Sequence, residues 1–241
     1  MVDKISPEEQ AKIDAAVKEL NDTKKKMVAN FDKILTDSQK VVEPNLKQIT
    51  DKGFVLAGGL AVGANTGHRK SDDFDFFGKF EFDPEKLKSE FDFSSLTTDH
   101  TREAPSTLEY FFSVPQGQKT DIVKVSMFGR PNIQFETITD LNGYTFAVAT
   151  PLDMYAAKLA AITTRDSWKD YSDLAALIRF SGFSLLEALD RVPTLFSISL
   201  KDAPSFRQDM VYLLSCAHKV KGVRPDEITA IEKEMKRCRL M

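Results

Sequence analysis

The stretch "GHRKSDDFDFFG", residues 67–78, constrains this chain more than any other. It sets Asp72, Asp73 and Asp75 against Phe74, Phe76 and Phe77, and burying an unpaired carboxylate among aromatic rings is costly. A β-strand resolves the conflict, because successive side chains point to opposite faces. Asp73 and Asp75 then share one face, while Phe74 and Phe76 anchor the other in a core. Asp72 falls out of phase with the pair and reads as a turn or surface acid. Two carboxylates one strand step apart suit a divalent cation, since Mg²⁺ takes hard oxygen ligands at about 2.0–2.1 Å and keeps water and phosphate in the rest of its shell. The same spacing also suits an exposed edge strand kept soluble by its acids.

Upstream, "FVLAGGLAVGANTGH" passes from a short apolar run into a small-residue stretch, the pattern of a buried strand turning into a helix. Gly58 and Gly59 sit at that turn. Without a Cβ, and with free helix N–H groups beside them, they let a phosphate approach; a tight turn accounts for them equally well. Fourteen positions separate Gly59 from Asp73, room for a short helix and a turn that lay a second strand beside the first.

With 241 residues, 42% of them hydrophobic, the chain can build a substantial core. A net charge of -3 excludes a chain-wide basic field. The opening residues lack the basic-then-apolar order of a secretory signal, and no apolar run approaches the roughly 20 residues of a spanning helix. These features lead us to expect a cytoplasmic protein with no membrane partner. Cys216 and Cys238 make neither a disulfide framework nor a clustered zinc site.

Ser6, Pro7 and Glu9 have the form of a capping box, and Ile13, Val17, Leu20, Met27, Phe31 and Ile34 recur at helical spacing. Residues 1–50 are therefore expected to be helical, with one apolar face packed on the core. "DPEKLKSEF" predicts a proline-started helix, and "TLEYFFSV" and "KTDIVKVSMF" predict a hairpin. After "TPLD" the period becomes helical again, and three late segments read as a small bundle. The expected fold class is α+β: a mixed β-sheet core over residues 51–150, an N-terminal helical segment over 1–50 and a C-terminal helical domain over 151–241.

The segment "FVLAGGLAVGANTGHRKSDDFDFF" resembles the first motif of the DNA polymerase β-type nucleotidyltransferases. More narrowly, it is similar to the AbiEii/AbiGii toxin family, whose pattern is matched at Gly58, Gly59, His68, Arg69, Ser71, Asp73, Asp75, Phe76 and Phe77. Downstream, "DIVKVSMFGRP" resembles the family's third core strand and "LDMYAAKLAAITTRDSWKDYSDL" its helical motif, so the resemblance spans about residues 53–180. It implies Mg²⁺-dependent (or Mn²⁺-dependent) transfer of a nucleotidyl group from an NTP to an RNA, such as tRNA, or to a protein. It also implies the toxin of a bacterial toxin–antitoxin or phage-defence pair, with a cognate antitoxin as partner. The rival is a catalytically inactive nucleotide- or partner-binding protein of the same fold.

By the same resemblance Asp73 and Asp75 hold the metal, while Gly58, Gly59, His68, Arg69 and Ser71 meet the phosphates. Lys158 would join them, and Arg165 lies seven residues on, two turns along one face of the predicted helix. A surface lysine with a buried stem is the alternative for Lys158. Asp170 and Asp173 are one turn apart and would orient these cations or act as general base; a simple Lys169–Asp173 pair competes with that reading. Many enzymes of the superfamily carry a third carboxylate on the later strand, where this chain has Ser126. Asp121 is a poor substitute by strand parity, and Glu109 on the neighbouring strand is a stand-in. His100 and His218 lack partners at ligand spacing, and Trp168 and Tyr155 are expected in the core or an interface. The late basics Lys219, Lys221, Arg224, Lys233, Lys236, Arg237 and Arg239 alternate with acids and read as an ordinary charged helix surface.

Overall fold

Ser6 opens the first helix as its neighbours predict. Its hydroxyl accepts from the Glu9 N–H, and the Glu9 carboxylate accepts from the Ser6 N–H. The computed structural model describes residues 5–241. The first helix, α1 (Pro7–Ile34), buries Met27, Phe31 and Ile34 but leaves Ile13, Val17 and Leu20 exposed. The expected continuous apolar contact is thus confined to the second half of α1, because the first half runs beyond the body of the protein. Thr36 restarts the chain with a second capping box into α2 (Asp37–Val42), and α3 (Lys47–Asp51) comes after a single 3₁₀ turn.

Strand β1 (Val55–Ala57) runs directly into α4 (Gly58–Thr66), and β2 (Asp73–Gly78) returns antiparallel beside β1, with Ala57 facing Asp75. Beyond the proline-started α5 (Pro84–Ser89) come β3 (Thr97–Ala104), β4 (Thr107–Gln116) and β5 (Lys119–Gly129). β4 and β5 form the predicted hairpin, and β5 lies parallel to β2, pairing Asp73 with Lys124 and Asp75 with Ser126. Two short strands, β6 (Thr137–Ile138) and β7 (Val148–Ala149), complete a seven-stranded mixed sheet of order β3-β4-β5-β2-β1-β7-β6.

One face of this sheet is core. Leu56, Phe74, Phe76, Leu108, Phe112, Val125 and Met127 are buried on it, with Phe31 of α1 set against Phe146 and Phe146 against Phe74 and Phe76. The strand-parity reading of Asp73 to Gly78 holds, since burial alternates residue by residue along β2. The other face carries Asp73, Asp75 and Phe77. It is covered at the β1 end by α6 (Pro151–Ala161), whose Thr150 cap accepts from the Asp153 N–H. Helices α7 (Trp168–Phe180), α8 (Leu185–Leu195), α9 (Ala203–Ser215) and α10 (Pro225–Arg237) complete the C-terminal part. A single hydrophobic cluster runs through it all, from Met27 to Met235.

Three strands had no strong sequence signal. β3 is almost wholly exposed and polar, so no apolar alternation marks it, while β6 and β7 are two residues each.

Candidate active site

Lys158, in the last turn of α6, is buried between two aspartates. Its Nζ donates to Asp170 Oδ1 at 2.8 Å and lies 2.6 Å from Asp173 Oδ2. This excludes the surface-lysine alternative. Both carboxylates come from the first turn and a half of α7, where the i, i+3 spacing stacks them on one face. Asp170 also receives a fork from Arg165, Nε to Oδ2 at 2.6 Å and Nη2 to Oδ1 at 2.9 Å. Asp173 receives another from Arg69, at 2.7 and 2.9 Å, and a hydrogen bond from His68 Nε2 at 2.9 Å.

The two aspartates therefore tie the motif loop between α4 and β2 to helices α6 and α7. Burial alone would raise both carboxyls. For Asp170, the bonds and charges of Arg165 and Lys158 hold it below the usual carboxylate range; for Asp173, His68, Lys158 and Arg69 do the same. The competing Lys169–Asp173 pair does not form: Asp173 faces inward with no exposed surface.

One expectation is corrected and another narrowed. Arg165 does not lie on the Lys158 helix. The hydroxyls of Thr163 and Thr164 donate to the Ala160 and Ala161 carbonyls, competing with helix continuation, so α6 stops at Ala161 and Arg165 reaches the site from the loop beyond. Trp168 is not core: it is 44% exposed and sits on the rim of the cleft, against Gly222. Tyr155, in contrast, is fully buried.

The glycine pair makes room for the site's own side chains. Gly58 has φ +70°, and a Cβ there would lie 2.7 Å from Asp75 Oδ2. At Gly59 a Cβ would lie 2.8 Å from Arg69 Nη2 and 2.9 Å from Ser71 Oγ. The N-terminus of α4, the Asp75 carboxylate, Arg69 and Ser71 thereby crowd into one corner, which a side chain at either position would prise apart. Ser71 is held there from behind, its carbonyl accepting from Gln39 Nε2 at 2.8 Å.

Asp73 and Asp75 stand on the open face of β2. Burial, and then the charge of Asp73, push the Asp75 carboxyl above its ordinary range. Such a pair calls for positive charge. Lys124, which sequence reasoning passed over, supplies one at 3.0 Å from Asp73 Oδ2; burial would lower its ammonium, but the bond to Asp73 holds it above its ordinary value. Its signal was its place on the same strand face as Ser126. Ser126 is fully buried, faces Asp75 and Glu109 across the sheet, and donates to Glu109 Oε1 at 3.1 Å. Asp121 points to the core face, where Ser38 Oγ donates to it at 2.6 Å. Among the described residues no three acidic, histidine or cysteine side chains converge as a metal cage, so Glu109 does not complete a triad. Two hard oxygen donors on one face, one of them driven uphill by its neighbour, fit a Mg²⁺ that shares its shell with water and substrate phosphate.

Two cavities meet at Lys158 and Arg165. A polar cleft of about 480 Å³ runs past Gly59, Arg69, Ser71, Asp73, Asp75 and Trp168. An apolar one of about 310 Å³ lies beyond Gly58, walled by Phe77, Phe135, Met154, Phe196 and Phe206.

Residues 45–210 match the family "Nucleotidyl transferase AbiEii toxin, Type IV TA system". The chain belongs to the AbiEii nucleotidyltransferase toxin family. A curated relative, the uncharacterized protein aq_aa25 of Aquifex aeolicus (strain VF5), is 33% identical over 139 residues, which are 56% of this chain and 62% of that protein. The chain thus spans somewhat under two thirds of that relative's length. In fold, it is similar to the crystal structure of an H. pylori protein described as a candidate nucleotidyltransferase, with TM-score 0.52 and 19% identity over 86% of this chain and 96% of that one. MenT4, a nucleotidyltransferase toxin of Mycobacterium tuberculosis H37Rv, aligns over 88% of this chain and 97% of its own at TM-score 0.37 and 12% identity. Both the expected family and the nucleotidyltransferase-type α+β fold are borne out.

Proposed function

We propose that the protein transfers a nucleotidyl group from an NTP to an RNA or protein acceptor with the help of Mg²⁺, as the cytoplasmic toxin of a pair with a cognate antitoxin. The observation that carries this reading is the convergence of Lys158, Arg165, Arg69, Ser71 and the α4 N-terminus on one cleft that ends at Asp73 and Asp75. Phosphoryl-type transfer asks for positioning and charge stabilisation more than covalent help. The cleft supplies both. Backbone N–H groups at Gly58 and Gly59 and the Ser71 hydroxyl bind the β- and γ-phosphates. Lys158 and Arg165 add positive charge, and Asp170 and Asp173 hold those cations in place.

Asp73 and Asp75 would hold the cation, which when bound neutralises the triphosphate and polarises the α-phosphate. The acceptor oxygen forms a bond to the α-phosphorus as the bond to the β-phosphate oxygen breaks. Pyrophosphate leaves toward the cations of α6 and its loop, and the acceptor proton is released to water. The apolar cavity beyond Gly58 receives the nucleobase against Phe77 and Phe135.

Incubation with each α-labelled NTP, Mg²⁺ and cellular RNA or protein tests the reading. Label should enter a macromolecule, and Asp73→Asn combined with Asp75→Asn should abolish this in a folded protein. Undiminished transfer by that variant overturns the assignment. Tight NTP binding without any transfer would favour the inactive rival, which the buried Ser126 at the third-acid position motivates.

A further inference from the structure

The open face of the sheet continues past the carboxylates onto β5, β4 and β3. Register carries it from Asp73 to Lys124, from Lys124 to Phe111, and from Phe111 to His100. There the Phe111 ring and the His100 imidazole stack in parallel, centroids 4.1 Å apart and planes 9° from each other. The Arg102 guanidinium sits 4.9 Å from the centre of the same Phe111 ring. His100 and Arg102 are exposed, Phe111 is half-buried, and Ile122 beside them is 48% exposed. His100, without partners at ligand spacing in the sequence, thus has Phe111 on the neighbouring strand and Asp99 beside it.

We infer that this row of planar groups is the binding platform for the terminal base of a single-stranded RNA acceptor. The inference rests on the proposed function above.

Bases stack on aromatic rings, on histidine and on arginine planes, and every base has a face to offer. Two cations, Arg102 and Lys124, lie along the route from the stack to Asp73 and can meet backbone phosphates, among the acids Asp99, Glu109 and Asp73 that neighbour them. Geometry favours the same ligand, because in-line displacement puts the entering and leaving oxygens on opposite sides of the α-phosphorus. The phosphate-binding cations Lys158 and Arg165 lie on the α6 side of Asp73 and Asp75, so the acceptor must arrive from the β5 and β4 side. Phe111 is two strands from Asp73, about 10 Å at the usual strand spacing, so a base on the platform leaves its sugar hydroxyls beside the carboxylates.

The test uses the full chain, a fluorescein-labelled single-stranded RNA dodecamer monitored by anisotropy, and NTP binding measured by calorimetry with Mg²⁺. Phe111→Leu keeps apolar bulk on β4 but removes the ring on which His100 and Arg102 lie flat, and should weaken RNA binding by about five- to a hundredfold, the worth of one base stack. Arg102→Gln should weaken it and flatten its salt dependence by about 0.7 in log–log slope, one single-strand phosphate contact. Both variants should melt like the parent and bind NTP unchanged. Equal RNA affinity in parent and both variants overturns the platform, as does label that enters protein alone. Failure of the parent to bind any NTP would instead sink the function on which the platform depends.

Discussion

Lys158 Nζ lies 2.6 Å from Asp173 Oδ2, and that aspartate, with no exposed surface, is at the same time forked by Arg69. One carboxylate thus offsets the charge of two cations from different parts of the chain, and Asp173→Asn would leave Arg69 without a carboxylate partner and Lys158 with Asp170 alone. Removing one partner from a buried ion pair costs about 3–5 kcal/mol. Chemical denaturation should show a loss of that order, together with loss of nucleotidyl transfer. Asp73→Asn, at a side chain 41% exposed, should abolish transfer with little change in stability. Equal destabilisation by the two variants would contradict the proposed division between a structural aspartate and one that holds the metal.

The same group contributes to the acid limb of stability, as Asp170 does. Asp173 is held below the ordinary carboxylate range, so its contribution to stability is complete above the unfolded value of about 3.9. It fades as pH falls from there toward the lower folded value. Melting temperature measured from pH 7 down to pH 2 should therefore fall in the parent below about pH 4. In Asp173→Asn the baseline should be lower and the acid slope shallower. An unchanged slope in the variant would remove Asp173 as a source of the acid limb.

Asp75 behaves in the opposite sense. Burial and the Asp73 charge raise its carboxyl, so at neutral pH its ionised form works against folding. Asp75→Asn should abolish transfer and yet stabilise the free protein by about 0.5–2 kcal/mol, the usual gain from relieving a strained functional position. Mg²⁺ should raise the melting temperature of the parent and not of the variant. A variant that melts below the parent in the absence of metal would show that Asp75 is not an electrostatic burden.

The Tyr155 hydroxyl is buried without a hydrogen-bond partner among the described residues. A buried polar group left unpaired costs about 1–3 kcal/mol, so Tyr155→Phe should be neutral or stabilising in thermal melts and leave transfer intact. A clear destabilisation would point to a partner for the hydroxyl that the protein fold does not itself provide.

Local spacing carried much of the fold and of the site. The alternation of Asp73 to Gly78, the Ser6 capping box and the β4–β5 hairpin were legible because each depends on neighbours within a few residues. What was not legible depends on contacts far apart in sequence. Arg69 and Asp173 are 104 residues apart, and nothing near either predicts their fork. Lys124 became part of the site only once the parallel pairing of β2 with β5 set it beside Asp73. β3 escaped notice because an exposed polar edge strand has no apolar period, and its stack of His100 on Phe111 exists only in the register with β4.

The Gly58 turn joins the backbone to the chemistry most directly, and a single methyl tests it. An L-residue at φ +70° costs about 1–2 kcal/mol of backbone strain, which Gly58→Ala should show in denaturation. The larger effect should fall on function, because the new Cβ would lie 2.7 Å from Asp75 Oδ2 and the carboxylate must swing away. Misplacing a reacting or metal-holding group by about 1 Å can cost a hundredfold in rate. Transfer by Gly58→Ala should therefore drop far more than stability does, with weakened Mg²⁺ stabilisation of the fold as an independent sign. Gly143 is the control: it too has positive φ, but a Cβ there meets nothing within 4 Å. Gly143→Ala should reproduce the backbone strain and leave transfer unchanged. If the two variants lose activity equally, the open corner at Gly58 is not what positions Asp75.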